Sequence, residues 1–205
     1  MAIEDGHGTH SANVAAAISS PSGVEDVAAG GYTMDRATDR QKKTGSAGPF
    51  DAGQIKMGAV YRPAMRNDAN RLCDIRRRSI LELAPPTMTV AEAQAWAAKL
   101  TPSGMERKLR ELEVWVAERS GIVAGWGAIS GDRLEGLYTA PECAGQGVGA
   151  GLLDRLEGLI RDRQFPSVRA EASSNARGFY LRRGYRAAGP QTPAGTWPIA
   201  KELLT

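Results

Sequence analysis

The stretch Tyr138-Thr139-Ala140-Pro141-Glu142-Cys143-Ala144-Gly145-Gln146-Gly147-Val148-Gly149-Ala150-Gly151-Leu152-Leu153 decides how the rest of the chain is read. A strand-like run ends at Thr139, glycines recur at every second position from Gly145, and an amphipathic helix begins. Its apolar stripe is Val148, Leu152, Leu153, Leu156, Leu159 and Ile160, which carries the helix to about Arg163. Glycine lets a ligand approach the main chain with no Cβ in the way. The first-turn amides of a helix lack intrahelical partners, and the helix dipole adds partial positive charge there. Together these features form a cradle for a pyrophosphate. The dipole contributes only about 0.3–1 kcal/mol, so charge-assisted hydrogen bonds must supply more.

Two familiar phosphate loops do not fit. A Walker loop ends in Gly-Lys-Ser/Thr, whereas this one reads Gly149-Ala150-Gly151. A dinucleotide fingerprint has the spacing G-x-G-x-x-G after an opening strand. Here Gly145, Gly147 and Gly149 are spaced G-x-G-x-G, after a meander of antiparallel strands.

That meander comes immediately before the loop. Leu112 to Glu118 and Ile122 to Ile129 read as a hairpin about Ser120-Gly121, and Arg133 to Thr139 follows after Ser130-Gly131-Asp132. Further upstream, Gln54 to Arg62 reads as a first strand closed by Pro63, and Asn67 to Leu83 as a helix stopped by Pro85-Pro86. Thr89-Val90-Ala91-Glu92 is a capping-box pattern for a helix running to about Lys99, and Ser103 to Arg110 is a shorter helical stretch. Downstream, Ser167 to Ala172 is a strand and Asn175 to Arg183 a helix ended by Gly184. Tyr185 to Ala188 and Trp197 to Leu203 form a closing pair of strands.

The first 53 residues have a different texture. They are rich in Gly, Ser, Ala, Thr and Asp, with no sustained period, and are expected to be a loosely structured tail. The string Asp5-Gly6-His7-Gly8-Thr9-His10 resembles the histidine motif of subtilisin-like proteases. A triad also needs a serine motif and a separate aspartate motif. Thr44-Gly45-Ser46-Ala47-Gly48 does not supply the serine motif, so the string is read as a chance one.

Charge divides at the same place. Residues 1–54 hold four Lys/Arg against seven Asp/Glu, and residues 55–205 hold 22 against 16, a net of +6 that suits an anionic ligand. Hydrophobic residues at 42% and charged residues at 24% are ordinary for a globular protein. No apolar run has the length of a membrane span, and no signal peptide is evident, so a cytoplasmic protein without a membrane partner is expected. Cys73 and Cys143 give neither a disulfide framework nor a zinc spacing, and both histidines lie within the first ten residues, so no metal is expected. The modest basic excess, with no stacking-aromatic or helix-turn-helix motif, argues against nucleic acid.

The loop resembles the cofactor loop of the GNAT superfamily of acyl-CoA N-acyltransferases, Arg/Gln-x-x-Gly-x-Gly/Ala. Gly147-Val148-Gly149 supplies the Gly-x-Gly, and Ala144 stands where the family has Arg or Gln. About 25 residues on, Glu171-Ala172-Ser173-Ser174-Asn175-Ala176-Arg177-Gly178-Phe179-Tyr180-Leu181-Arg182-Arg183-Gly184-Tyr185 is similar to the family's second block. The resemblance implies an α/β (α+β) fold over 54–205, with a mixed, mostly antiparallel sheet of six to seven strands, splayed at the cofactor site and flanked by about four helices. It implies acetyl-CoA as co-substrate, bound by Leu137, Tyr138, Thr139, Ala144, Gly145, Gln146, Gly147, Val148, Gly149, Ala150, Asn175 and Ala176. Asn175 replaces an asparagine that many members have where Ser173 stands. Tyr180 is implied as the proton donor to the departing thiolate, and backbone amides of Leu137 to Thr139 as the grip on the acetyl oxygen.

Glu135, on the strand entering the loop, is the first candidate for the base. If Leu137 and Thr139 face one side, alternation gives Glu135 the same side. Glu171 is second, Glu82 near the end of the first helix is third, and water can replace all of them. Arg76 to Arg78 and Arg182-Arg183 are read first as solvated helix faces and second as contacts to phosphate or to an acidic acceptor. Trp96 and Trp197 are read first as core. The acceptor is a small-molecule or peptide amine, and the resemblance makes a homodimer a common assembly. The other reading is an acyl-CoA-binding or sensing domain that transfers nothing.

Overall fold

The protein is described by a computed structural model covering residues 58–84 and 88–203. The expected tail, the first four positions of the expected opening strand and the Pro85-Pro86 stop lie outside the described residues.

Seven strands are β1 (Val60–Pro63), β2 (Glu113–Arg119), β3 (Ile122–Ser130), β4 (Arg133–Thr139), β5 (Ser167–Ala172), β6 (Arg186–Ala187) and β7 (Trp197–Glu202). Five helices are α1 (Ala69–Leu83), α2 (Val90–Ala98), α3 (Pro102–Glu111), α4 (Val148–Asp162) and α5 (Ser174–Arg182). The strands form one sheet in the order β1-β2-β3-β4-β5-β7-β6. Every neighbouring pair is antiparallel except β4 and β5. Pro63 closes β1 as its last residue and pairs with Trp115. The stretch 102–111 is a full helix, started by Pro102 behind the cap Thr101, whose Oγ1 accepts from Gly104 N at 3.1 Å. With it, five α-helices stand among the described residues, in line with the expected flanking by about four.

Helices cover both faces, so the sheet is buried on each side. On one face Leu152, Leu153, Leu156 and Ile160 of α4, with Ala176 and Phe179 of α5, pack on Leu134, Leu137, Val168 and Ala170. Each fully buried aliphatic side chain of this kind contributes about 1.5–3 kcal/mol. The approach is close because β3 offers glycines. A Cβ on Gly127 would lie 2.6 Å from Leu156 Cδ1, and one on Gly125 would lie 2.9 Å from Val148 Cγ1. On the other face Leu72, Ile75 and Ile80 of α1, Trp96 of α2 and Met105 of α3 pack on Val116, Trp126, Ala128 and Tyr138. Trp126 Nε1 donates to Leu72 O at 2.9 Å, satisfying the one polar atom of a buried indole. The capping box of α2 forms as its sequence predicts, with Glu92 N donating to Thr89 Oγ1 and Thr89 N to Glu92 Oε2.

Two irregularities shape the centre of the sheet. β4 and β5 pair only through Arg133 with Arg169 and Leu134 with Ala170, so beyond Leu134 the two strands part. At the same point the β3–β4 ladder slips: Ile129 pairs with Leu134 while Ala128 pairs with Gly136. Glu135 is thus the extra residue of a β-bulge, which bends a strand and re-aims its side chains.

Candidate active site

The splay opens beside the N-terminus of α4. The chain leaves β4 at Thr139, makes a 3₁₀ turn over Pro141–Cys143 and enters α4 through Gly145 and Gly147. Both glycines are left-handed, with φ of 73° and 84°, a region that costs other residues about 1–2 kcal/mol. Gly147 is the N-cap and carries no side chain to cap the helix, so the first-turn amides remain open. They face a cleft of about 190 Å³ lined by Thr139, Cys143, Ala144, Gly145, Gly147, Val148, Gly149, Ala150 and Phe179. Glycine, alanine and main chain dominate this wall. Thr139 Oγ1 is buried there with no hydrogen-bond partner among the described residues. An orphaned buried hydroxyl costs about 1–3 kcal/mol until something satisfies it.

The loop is braced from outside. Glu142 accepts from Arg78 Nη2 at 3.0 Å and Arg71 Nη2 at 3.4 Å, both from α1. Gln146 Nε2 donates to Glu142 O at 2.7 Å, and Arg119 reaches Gln146 Oε1. On the far side Arg183 donates to Ala150 O at 3.3 Å and pairs with Asp154.

Seven of the residues expected to hold the cofactor line this one cleft: Thr139, Ala144, Gly145, Gly147, Val148, Gly149 and Ala150. The others lie elsewhere. Leu137 is fully buried under α4, and Ala176 is fully buried in the same core. The Tyr138 side chain is on the opposite face, stacked on Trp126 at 4.7 Å and accepting from Arg76 Nε at 3.3 Å. Gln146 turns its side chain to Glu142 and Arg119. Asn175 accepts from Ser173 Oγ at 2.7 Å and donates to Leu83 O at 3.4 Å, tying α5 to the end of α1. Cys143 and Phe179 line the cleft without having been singled out. Cys143 lies inside the quoted loop and Phe179 precedes Tyr180, but only tertiary packing turns them to the wall.

Tyr180 lies one residue deeper than Phe179. It is fully buried, edge-on to Phe179 at 5.1 Å and to Tyr185 at 5.2 Å. Its hydroxyl has no hydrogen-bond partner among the described residues. Burial first, then nearby Tyr138 and Glu157, push its pKa well above the ordinary value. The phenol therefore stays protonated at any working pH.

The carboxylates gather on the other face. The bulge breaks the alternation that would set Glu135 beside Leu137 and Thr139. Glu135 is instead on the α3 side, where it influences Lys108. Arg133 Nε contacts Glu135 Oε1 at 3.1 Å, and Arg133 Nη2 donates to Glu171 Oε1 at 2.9 Å. Thr196 Oγ1 donates to the second oxygen of Glu171 at 2.8 Å. Two candidate bases thus share one guanidinium, and the alternation of β5 aims Glu171 away from Ala170 and Ala172. Burial lowers the pKa of Lys108 on this face, opposed by Glu135 and assisted by Arg76.

Arg76 itself is not a solvated residue. It is 8% exposed and donates to Tyr138 Oη and to the carbonyls of Ala97 and Trp96, at the C-terminal end of α2. Glu82 pairs with Arg78 at 3.1 Å, one turn earlier on α1. Trp96 is core, as first read, whereas Trp197 is not: it is only half-buried and carries the Arg177 guanidinium at 4.3 Å. Among the described residues no three His, Cys, Asp or Glu side chains gather as a metal site, and no helix is long and apolar enough to cross a membrane.

Comparison with known proteins agrees with this arrangement. Residues 84–196, more than half of the chain, match the family described as the acetyltransferase (GNAT) domain. A GCN5-related N-acetyltransferase (aminotransferase, class II) from Rhodopseudomonas palustris superposes with a TM-score of 0.66 at 26% identity, over 71% of this chain and 96% of that one. The PaiA N-acetyltransferase from Thermoplasma acidophilum, solved in complex with coenzyme A, shares the fold with a TM-score of 0.62 at 18% identity, over 71% and 99% of the two chains. N-acetylglutamate synthase from Neisseria gonorrhoeae, complexed with coenzyme A and N-acetyl-glutamate, shares it with a TM-score of 0.55 at 16% identity, over 72% of this chain and 35% of that one. No match is found among curated proteins. A glycine-capped helix opening on a splayed sheet and the family match over the same residues lead to one conclusion: the chain belongs to the GNAT acetyltransferase family.

Proposed function

We propose that the chain is a cytoplasmic enzyme, its domain running from residue 54 to 205, that moves acetyl from acetyl-CoA directly to a primary amine. One observation carries the reading: the open amides behind Gly147 face a cleft that also holds the Thr139 hydroxyl, buried and without a partner among the described residues. Main-chain N–H groups at a helix mouth suit a diphosphate, and a cleft with a buried hydroxyl to satisfy suits the amide-bearing arm beyond it.

Acetyl-CoA supplies the acyl group as a thioester, and the residues of this chain do the rest. Amides from Val148 to Ala150 bind the diphosphate. The strand Leu137 to Thr139, which no longer pairs with β5 beyond Leu134, borders the splay, and a main-chain amide there stabilises charge on the acetyl oxygen. Tyr180, held neutral by burial, gives its proton to the departing thiolate, a transfer worth about 10²–10⁴-fold. The amine arrives from the face that holds Glu135 and Glu171. An amine of pKa about 10.4 is neutral only about once in a thousand at pH 7, so a carboxylate or a water held by one assists. Glu135 is assigned this role. Glu171 is anchored twice, by Arg133 and by Thr196, and is the more structural of the two.

The test is a panel of amines, from amino acids to polyamines and peptides, incubated with acetyl-CoA while free thiol is measured. Release that depends on both amine and enzyme is expected, and Tyr180→Phe should slow it. CoA bound by calorimetry with no thiol released on any amine would replace this reading by that of an acyl-CoA sensor.

A further inference from the structure

We propose that Cys143 is a thiolation site through which a low-molecular-weight disulfide closes the cofactor cleft. The inference rests on the reading of that cleft as the CoA site. Cys143 is half-buried in the cleft wall, between Thr139 and the two left-handed glycines. Its main chain is fixed: its N–H donates to Ala140 O at 2.8 Å, and its carbonyl accepts from Gln146 N at 3.3 Å. Its thiol makes no hydrogen bond among the described residues. The unpartnered Thr139 hydroxyl, 2% exposed in the same wall, marks the space beside Cys143 as one that a ligand completes.

The other cysteine supplies the contrast. Cys73 donates its thiol to Leu100 O at 3.2 Å, and burial pushes its pKa up, so it is a poor nucleophile. Both cysteines are free. The selectivity therefore comes from position, with one thiol spent on a carbonyl and the other on a half-buried residue of the cleft wall.

The chemistry is thiol–disulfide exchange. The Cys143 thiolate attacks one sulfur of a disulfide such as glutathione disulfide. A bond forms between Cys143 Sγ and that sulfur, the original S–S bond breaks, and the second glutathione leaves as a thiolate that takes up the proton. Cys143 is oxidised and the departing glutathione reduced, with no further reactant. A glutathionyl group on Cys143 would stand against the wall read as the cofactor's, and its carboxylates would face amides suited to a diphosphate.

The experiment uses the full chain, glutathione disulfide, intact-mass and peptide mass spectrometry, and calorimetry, with CoA supplied as acetyl-CoA, whose acylated sulfur takes no part in the exchange. One glutathionyl group per chain is expected, mapped to Cys143. Saturating CoA should slow its formation at least tenfold. The adduct should bind CoA at least tenfold more weakly, and dithiothreitol should restore binding. Cys143→Ser should be insensitive to the disulfide relative to its own untreated affinity, whereas Cys73→Ser should stay sensitive. Modification of Cys73 first, no modification of Cys143, no protection by CoA, or an adduct that binds CoA unchanged each overturns the proposal. Untreated protein that fails to bind CoA overturns the cofactor reading and this proposal together, and the untreated calorimetric trace tells the two failures apart.

Discussion

The two faces of β4 do different kinds of chemistry with different materials. On the α4 side, the cleft is made of main chain, glycine and alanine, and its polarity comes from amides that no helix turn consumes. On the α3 side, the polar groups are long side chains, with Arg133 holding Glu135 and Glu171 together while Lys108 and Arg76 stand nearby. A main-chain site is fixed by local backbone geometry and changes little with substitution, unless a residue's size or charge enters the cleft. A side-chain site depends on tertiary pairing and can be retuned one residue at a time. Under the proposed function, that contrast would let an acyl-donor grip made of main chain sit opposite an acceptor face made of side chains.

The largest expected effect is on the main-chain side. Gly147→Glu puts a β-carbon on a residue with φ of 84° and a carboxylate where the diphosphate would lie. The Kd for CoA by calorimetry should rise more than about 100-fold, or about 2.7 kcal/mol. Gly147→Ala introduces the backbone strain without the charge and should cost less than about tenfold. Equal losses in the two variants would mean that backbone shape, not electrostatics, governs this face.

Tyr180 comes next. Tyr180→Phe removes one hydroxyl from a fully buried ring that keeps its edge contacts with Phe179 and Tyr185. Turnover on the best amine of the panel should fall about 10²-fold, while CoA affinity stays within about twofold. Since the raised pKa keeps the phenol protonated, the wild-type rate should show no alkaline fall from this group below about pH 10. An unchanged rate would remove Tyr180 from the reaction and leave it a core residue.

Glu135→Gln and Glu171→Gln test whether the side-chain face works as a site or as a brace. Glu135→Gln should lower turnover on the order of tenfold and flatten the acid limb of the pH–rate profile, with water and Glu171 limiting the loss. Glu171→Gln weakens an Arg133 contact that links β5 to β4 and a Thr196 contact that links β5 to the loop before β7. Its expected signature is a lower Tm, by an amount matching about 1–2 kcal/mol. The reverse pattern would exchange the two roles.

The same contrast governs what was legible in the sequence. The cleft was readable because its parts are contiguous: Gly145, Gly147, the stripe from Val148 to Ile160 and the strand before them lie within one run of residues, and glycine spacing reports backbone shape directly. The Ala144 departure did not obscure it, since alanine leaves the amides in place. The meander, the strand β5 and the capping box at Thr89 were equally local. The α3-side face was not readable in the same way. Placing Glu135 required the bulge between Ala128 and Ile129, which follows from how β3 and β4 meet and leaves no mark in alternation. Arg76 looks like one of three surface arginines. Only the meeting of α1 with the end of α2 shows that its donors are consumed by Tyr138, Ala97 and Trp96. Tyr138, inside the quoted string, has a side chain that belongs to this second face.

The smallest effect tests whether the side-chain face carries a tension that the main-chain face lacks. Lys108 has its pKa lowered chiefly by burial, with Arg76 adding to the shift and Glu135 opposing it. The folded state therefore disfavours the charged amine. Between the lowered folded pKa and the unfolded value of about 10.4, the unfolded chain binds the proton that the folded chain has lost, so stability rises with pH across that window. Below the window the penalty is fully present, and above it the penalty is gone. Lys108→Met, which keeps the length of the side chain without the charge, should stabilise the protein at pH 7 by about 0.5 kcal/mol. The gain in denaturant midpoint over wild type should shrink as pH climbs toward 10. If the same variant also changes the KM for the amine while leaving the CoA affinity alone, the cation is maintained for the acceptor at a cost in stability. If stability rises and no kinetic constant moves, Lys108 is only a strained neighbour of Glu135, and the working part of the acceptor face narrows to Arg133 and its two carboxylates.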